Sequence, residues 1–466
     1  MTEKAGVSAV VRSGRSLAPL NRNQALLIII GILVLSFSSD IVNGLLGTAE
    51  TSLTFGKLAR GLILVSCLLY LACSNRTENT FSALALVGTF FLLFLVGALR
   101  NTGVDLGLEA VQLARILYTP VLALFLVTFL RRFYNDTPLA KQVIVHSCHV
   151  GLLIVASVAL PRVFGFGYVT YEVGESFGGT GILLSQNEIA LTLILLQVFA
   201  AYVIYQISVK HGIFLIVAFG IALILIGTRA ALLGSFVVPV VAFGGLILMD
   251  AIGQKGVAKG SFRTLFVVAA AGIVAGLVMV PIVLRDQYLM AKFVSLLVSL
   301  NVREGLTDAG LTAILDGSLS ELVFGQTATT FYDSVAGSEL VVVRNDFGKR
   351  VEVDWIDIAG IYGVLGVTIA YGFYLGMLFR SGRRLNSSIC VLSFMCLSLF
   401  CLHSIWAGHA FFAPMPGSVV AIAIALAGFD RSSVYLLRNA NQDTTDVGTV
   451  RSFEPAAALV KSRALH

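Results

Sequence analysis

Apolar residues in this chain come in long runs separated by short polar breaks. The runs fall at 25–47, 55–73, 81–99, 111–130, 143–160, 182–205, 213–227, 230–249, 266–284, 356–379, 389–405 and 411–428. A bilayer core about 30 Å thick needs roughly 20 residues of helix, so the pattern predicts about twelve transmembrane helices. Ser38, Ser39 and Asp40 interrupt the first run, which predicts an irregular outer end there. The seventh run is short, and merging it with the eighth would invert the later topology. Between the ninth and tenth runs lies the longest hydrophilic stretch, from about Arg285 to Trp355.

Composition supports the lipid reading. The 466 residues are 57% hydrophobic and 12% charged, with a mean hydropathy of +0.91. A water-soluble domain carries roughly a quarter of its residues as charges, so most of this exterior must face lipid. The 45 glycines and 31 phenylalanines suit close helix approach and lipid-facing surface. The net charge of +6 is spread in small clusters between apolar runs, which argues for topology and against nucleic-acid binding. Cys67, Cys73, Cys148, Cys390, Cys396 and Cys401 all lie in or beside apolar runs without a CxxC pair, so they read as small buried hydrophobes.

Orientation follows from the basic residues. With the N-terminus inside, every short inner connection carries Lys or Arg, while the outer turns 48–54 and 406–410 carry none. Residues 1–24 are polar and basic without a cleavage signature, so the first run is expected to be retained as a span. The predicted organisation is an all-α, polytopic membrane protein. A cytoplasmic tail (1–24) precedes nine helices (25–284), a large periplasmic loop (285–355), three helices (356–428) and a cytoplasmic tail (429–466).

Ionisable residues near spans are costly and draw attention to function. Lys57 and Arg60 begin the second span, and Asp105, Glu109 and Arg115 precede or enter the fourth. Arg229 sits in a very tight turn after Gly227, and Arg285–Asp286 follow the ninth span. Each alone reads as a snorkelling side chain. Together they place several guanidiniums on the outer face, where Arg60, Arg115 and Arg285 would grip a phosphate-bearing substrate attached to lipid.

Three further features add candidate chemistry. Ser185-Gln186-Asn187-Glu188 opens the sixth span, either as an N-cap with polar first turns or as a cavity wall binding sugar hydroxyls. Gly227-Thr228-Arg229-Ala230-Ala231-Leu232-Leu233-Gly234 predicts a compact helix-to-helix turn presenting Arg229. At the loop exit, Asp354 and Asp357 are three residues apart on one helical face, with Glu352 just before them. These acids read either as an interfacial cap or as the source of a general base for a sugar hydroxyl. No His joins the acids in sequence, so no metal site is predicted. His403 and His409 flank the final outer turn and are expected at most to line a pocket.

Taken together, the chain resembles the bacterial O-antigen ligase and Wzy-type polysaccharide polymerase superfamily. The resemblance covers the helix count, the late outer loop, Ser185–Glu188, the Gly227–Gly234 motif and the loop exit ending Gly363-Val364-Leu365-Gly366. It implies metal- and cofactor-independent, inverting glycosyl transfer in the bacterial inner membrane. The donor would be an undecaprenyl-pyrophosphate-linked glycan on the periplasmic face, and chain-length or export proteins would be possible partners. It also implies that Arg229 holds the pyrophosphate. The ligases of this superfamily characteristically carry His at the start of the loop-exit motif; that position here is Glu352. A repeat-unit polymerase is therefore the leading expectation, with the base open between Glu352 and Asp354. The alternatives are an O-antigen ligase, a lipid-linked oligosaccharide flippase or transporter, and a non-catalytic subunit of an export complex.

Overall fold

The computed structural model describes residues 20–47, 54–74, 77–134, 136–169, 179–253, 300–338, 351, 353–385, 387–406 and 408–429. The side chains of residues 77, 169, 229, 249–253 and 300–304 lie outside that description. In chain order the elements are α1 (Arg22–Leu45), α2 (Phe55–Cys73), α3 (Thr77–Arg100), α4 (Leu106–Leu130) and α5 (Thr137–Phe164). A two-stranded antiparallel hairpin follows, β1 (Tyr168–Val169) with β2 (Gly179–Gly181), and then α6 (Gln186–Gln206), α7 (Val209–Ile226) and α8 (Arg229–Gly253). Three short helices come next, α9 (Leu300–Leu315), α10 (Leu319–Phe324) and α11 (Ala328–Ala336). The chain closes on α12 (Asp354–Gly382), α13 (Ser388–Trp406) and α14 (Pro414–Leu426).

Ten of these helices, α1 to α8 with α12 and α13, are long and apolar enough to cross a membrane, so the protein is a mostly helical, multi-pass membrane protein. The predicted ninth run, 266–284, lies outside the described residues. The twelfth differs from its prediction. Helix α14 has 13 residues and is about 20 Å long at 1.5 Å per residue, short of a bilayer core. All 13 of those residues are buried. A helix that meets protein on every side does not have to match the thickness of the lipid, and its apolar run continues into the buried turn Ala410–Ala413 instead.

Two helices form the centre. The apolar window of α6 is 89% buried and that of α4 is 78% buried, against 22% for α3 and 28% for α2, which face outward. Helix α14 packs between α4 and α6. A buried hydroxyl network ties it to α1: Ser418 Oγ lies 3.1 Å from Tyr118 Oη and donates to Ser36 Oγ at 3.3 Å. Hydroxyls deep in a helix bundle are tolerated because each finds such a partner.

The short helices of the long connection dock at one end of the bundle. Arg100 and Asn101, at the end of α3, donate to the carbonyl oxygens of Gly325 and Gln326. The buried carboxylate of Glu109, in the first turn of α4, accepts from the Thr329 amide (2.8 Å) and hydroxyl (3.0 Å). Helix α12 breaks its helical geometry at Gly363, where φ is 70° and ψ −177°. A Cβ there would stand 2.2 Å from the Val323 carbonyl oxygen. Only glycine adopts that conformation without strain, and only glycine lets α10 approach so closely.

Gly363→Ala is therefore expected to lower the melting temperature of the purified protein by about 5 °C or more. Gly372→Ala, on the same helix with open space around its Cβ position, is expected to leave it unchanged or slightly raised.

Candidate functional site

A polar cavity of about 180 Å³ opens at the same end of the bundle as the short docked helices. Its wall includes Asp40 and Asn43 of α1, Thr54, Lys57 and Arg60 at the start of α2, and Arg115 of α4. Ser185 and Glu188 at the start of α6 and Met415 of α14 complete it.

Each wall is positioned by a local device. Thr54 caps α2, its Oγ1 accepting from the Lys57 amide at 3.3 Å, and Asn43 Oδ1 accepts from the Gly56 amide at 3.1 Å. The first turn of α2 is thereby held against the last turns of α1, and Arg60 forms an ion pair with Asp40. Both side chains are about 15% exposed, so the pair is well shielded. On the other side, the segment leading into α6 crosses α1 at Gly44, where a Cβ would fall 1.6 Å from the Ile182 carbonyl oxygen. Tyr168 of the hairpin fastens the crossing by donating to the Gly44 carbonyl at 2.9 Å. This contact brings Glu188 to the same cavity as Asp40.

Lys57, Arg60 and Arg115 face Asp40 and Glu188 across the cavity, three cations against two carboxylates. Asp40 is committed to Arg60, whereas Arg115 enters no ion pair among the described residues. A guanidinium held beside a cavity without a bonded carboxylate can accept an incoming anion and bind two of its oxygens at once.

Beside the polar cavity runs an apolar groove of about 590 Å³ between α2 and α4. Leu58, Gly61, Leu62, Val65, Ala110, Val111 and Ala114 give it small and aliphatic walls. Lys57, Arg60 and Arg115 line both spaces. A molecule with an anionic head and a hydrocarbon chain fits this join: the head meets three cations, and the tail lies along the outward-facing α2 against the central α4.

The sequence-predicted residues divide between places. Arg60, Arg115 and Glu188 meet in the polar cavity. Gln186 and Asn187 are half-buried neighbours of Glu188 in the first turn of α6 but are not in the cavity wall. Arg229 is the first residue of α8, after the left-handed Gly227 and a Thr228 whose hydroxyl accepts from the Ala231 amide at 3.2 Å. Its side chain lies outside the description, and Arg285 and Glu352 lie outside the described residues altogether.

Asp354 and Asp357 do not reach the cavity wall. Asp354 is buried, and its Oδ2 accepts from the amides of Ala410 (2.7 Å) and Phe411 (2.9 Å), fixing the turn before α14. Asp357, also buried, accepts from the Val351 amide at 3.2 Å. His403 is half-buried near the end of α13, and half-buried His409 has a left-handed backbone (φ 60°) in the turn that Asp354 holds.

Asp40 and Asn43 are the wall residues that the span pattern treated only as an interruption or passed over. Ser36, Asp40 and Asn43 fall at helical spacing on one face of α1, the sequence signal that could have placed them. Tyr332 of α11 was passed over as well. It is buried and its hydroxyl has no hydrogen-bond partner among the described residues. Burial pushes its phenol well above the ordinary tyrosine range, so it stays protonated, as a donor, at neutral pH.

Removing the Asp354 carboxylate by Asp354→Ala leaves two buried amides unpaired and is expected to cost roughly 2–5 kcal/mol of stability. Asp354→Asn keeps an accepting oxygen and should cost less. Denaturation of the two purified variants checks the order.

Searches against protein-family models and against curated protein sequences find no match to this chain.

Proposed function

We propose that this protein is a membrane glycosyltransferase that joins lipid-pyrophosphate-linked oligosaccharide repeat units into a polysaccharide on the outer face of the bacterial inner membrane. The observation that carries the proposal is the join of the three-cation cavity to the apolar groove through Lys57, Arg60 and Arg115. A polyprenyl pyrophosphate has that same division, two charged phosphates on a long hydrocarbon.

In this reading Arg115, Arg60 and Lys57 hold the pyrophosphate, and their charge stabilises it as the bond to the sugar's anomeric carbon breaks. The acceptor hydroxyl attacks that carbon from the opposite side and gives its proton to a carboxylate. Glu188 is the carboxylate in the cavity that is not paired with Arg60 at bonding distance, and it takes this role more readily than Asp354, which is not in the cavity wall and holds two amides on Oδ2. Arg229 opens α8 beside the first turns of α6 and is the further guanidinium proposed for the pyrophosphate. The basic residues Arg131, Arg132, Lys141, Lys210, Arg383 and Arg384 gather at the other ends of the helices, which supports an outward-facing cavity and cytoplasmic termini.

A transporter of the same lipid would need a polar path onward through the bundle. Below Glu188, α6 is buried and apolar apart from Thr192 and Gln197 along Ile189–Ile204, which favours transfer over transport.

Arg115→Ala is expected to abolish long polymer in cells while lipid-linked single repeats accumulate. Purified Arg115→Ala should polymerise a lipid-pyrophosphate repeat at least about 100-fold more slowly. Ala114→Trp, filling the groove and sparing every charge, should weaken use of the polyprenyl donor while sparing a short-chain analogue. Normal polymer in Arg115→Ala would remove the assignment, and repeats stranded on the inner face of cells lacking the protein would favour the transporter.

A further inference from the structure

Three of the six histidines in the chain come together far from the cavity. His146 and His149 lie one turn apart on α5, and His211 is the third residue of α7. His149 Nε2 and His211 Nε2 face each other at 3.0 Å, and the rings of His146 and His149 meet edge to face with centroids 5.7 Å apart. Lys141 of α5 donates to the Gln206 carbonyl at the end of α6. Cys148, next to His149, contacts the Leu196 carbonyl midway along α6, and Gly212, next to His211, packs on Ile204 near its end, whereas Glu188 is in its first turn. At 1.5 Å of rise per residue, Leu196 and Ile204 are about 12 and 24 Å along α6 from Glu188, so the cluster sits well below the cavity.

Two imidazole nitrogens at 3.0 Å cannot both present lone pairs to each other. Either one carries a proton and donates it, or a cation stands between them. His149 is exposed and His211 half-exposed, so neither ring is forced into the contact by burial, and the pair is approached from the end of α7, where His211 is in the first turn. Two nitrogens bound to one zinc at about 2.0–2.1 Å and near-tetrahedral angles stand about 3.3–3.4 Å apart. A small rotation of either ring supplies the difference. His146 donates through Nδ1 to the Gln142 carbonyl at 2.8 Å, and its ring lies against the edge of His149, which restrains how that ring can turn.

We propose that His149 and His211 form a binding site for a divalent transition-metal ion of the zinc class. The two Nε2 atoms would be its protein ligands. No third His, Cys, Asp or Glu completes a cluster among the described residues, so water fills the other positions. Such an ion braces α5 against the first turn of α7. The proposal does not depend on the glycosyltransferase reading, and its test uses no glycan.

The test uses the full chain, purified in detergent with a histidine-free affinity tag. Zinc, and cobalt as its spectroscopic substitute, are titrated into the wild type, into His149→Gln, His211→Gln and the double variant, and into His466→Ala as a control. One ion should bind per wild-type chain, and zinc should raise its melting temperature by at least about 2 °C. Affinity should fall at least about 10-fold in each single variant and hold in His466→Ala. X-ray absorption of the zinc-loaded wild type should report two imidazole ligands, a reading that stands even if a variant fails to fold. The absence of saturable binding, undiminished binding by the folded double variant, or a zinc spectrum without imidazole would overturn the proposal and leave the pair as a plain hydrogen bond.

Discussion

The candidate site depends on one ion pair, Asp40 of α1 with Arg60 of α2. A charge within an apolar span is tolerated only when it is paired or wet, and this pair meets both conditions, shielded within the bundle yet lining a cavity. Desolvation offsets much of the attraction in a buried pair, so its main effect is on which faces meet. Asn43, one turn along α1, grips the start of α2 and locks the same register. Gly44 then admits the strand-to-helix crossing that carries Glu188. Little more than one turn of α1, from Asp40 to Gly44, thus sets the relative placement of α1, α2 and α6.

The carboxylates show how environment separates residues of the same type. Asp354 and Glu109 are both buried, and each uses one carboxylate oxygen as a clamp, Asp354 on two amides of the turn before α14 and Glu109 on the amide and hydroxyl of Thr329 in α11. An ionised acceptor bonded to amide donors is a strong clamp, and these two clamps hold irregular chain against regular helix. Glu188 has no such commitment and faces the arginines instead. The acids that fasten irregular chain and the acid that lines the cavity are told apart by their place in the fold.

Docking of the short helices explains why the long connection belongs to the same end as the cavity. Its contacts with α3 and α4 run through carbonyl groups of Gly325 and Gln326 and through Thr329. Backbone contacts of this kind constrain geometry more than side-chain identity. The Gly325 and Gly363 region, where chain meets chain without a Cβ between them, is the tightest of these.

Much of the architecture was legible in the sequence, because a bilayer imposes a one-dimensional rule. Each crossing must be apolar for about 20 residues, and that rule alone located α1 to α8, α12 and α13. The tight turn at Gly227 also followed from its small residues, and the cost of charge beside lipid singled out Arg60 and Arg115 without saying what they face. The short α14 did not, since its length answers to the protein packed around it and not to lipid. Nor did the pairing of Asp40 with Arg60, the use of Asp354 on a turn more than 50 residues away, or the meeting of His149 with His211. Apolar runs state how far each helix reaches along the membrane normal. Which face of one helix meets which face of another is decided by close packing and by the partners that buried polar atoms require, and those exist only once the chain has folded.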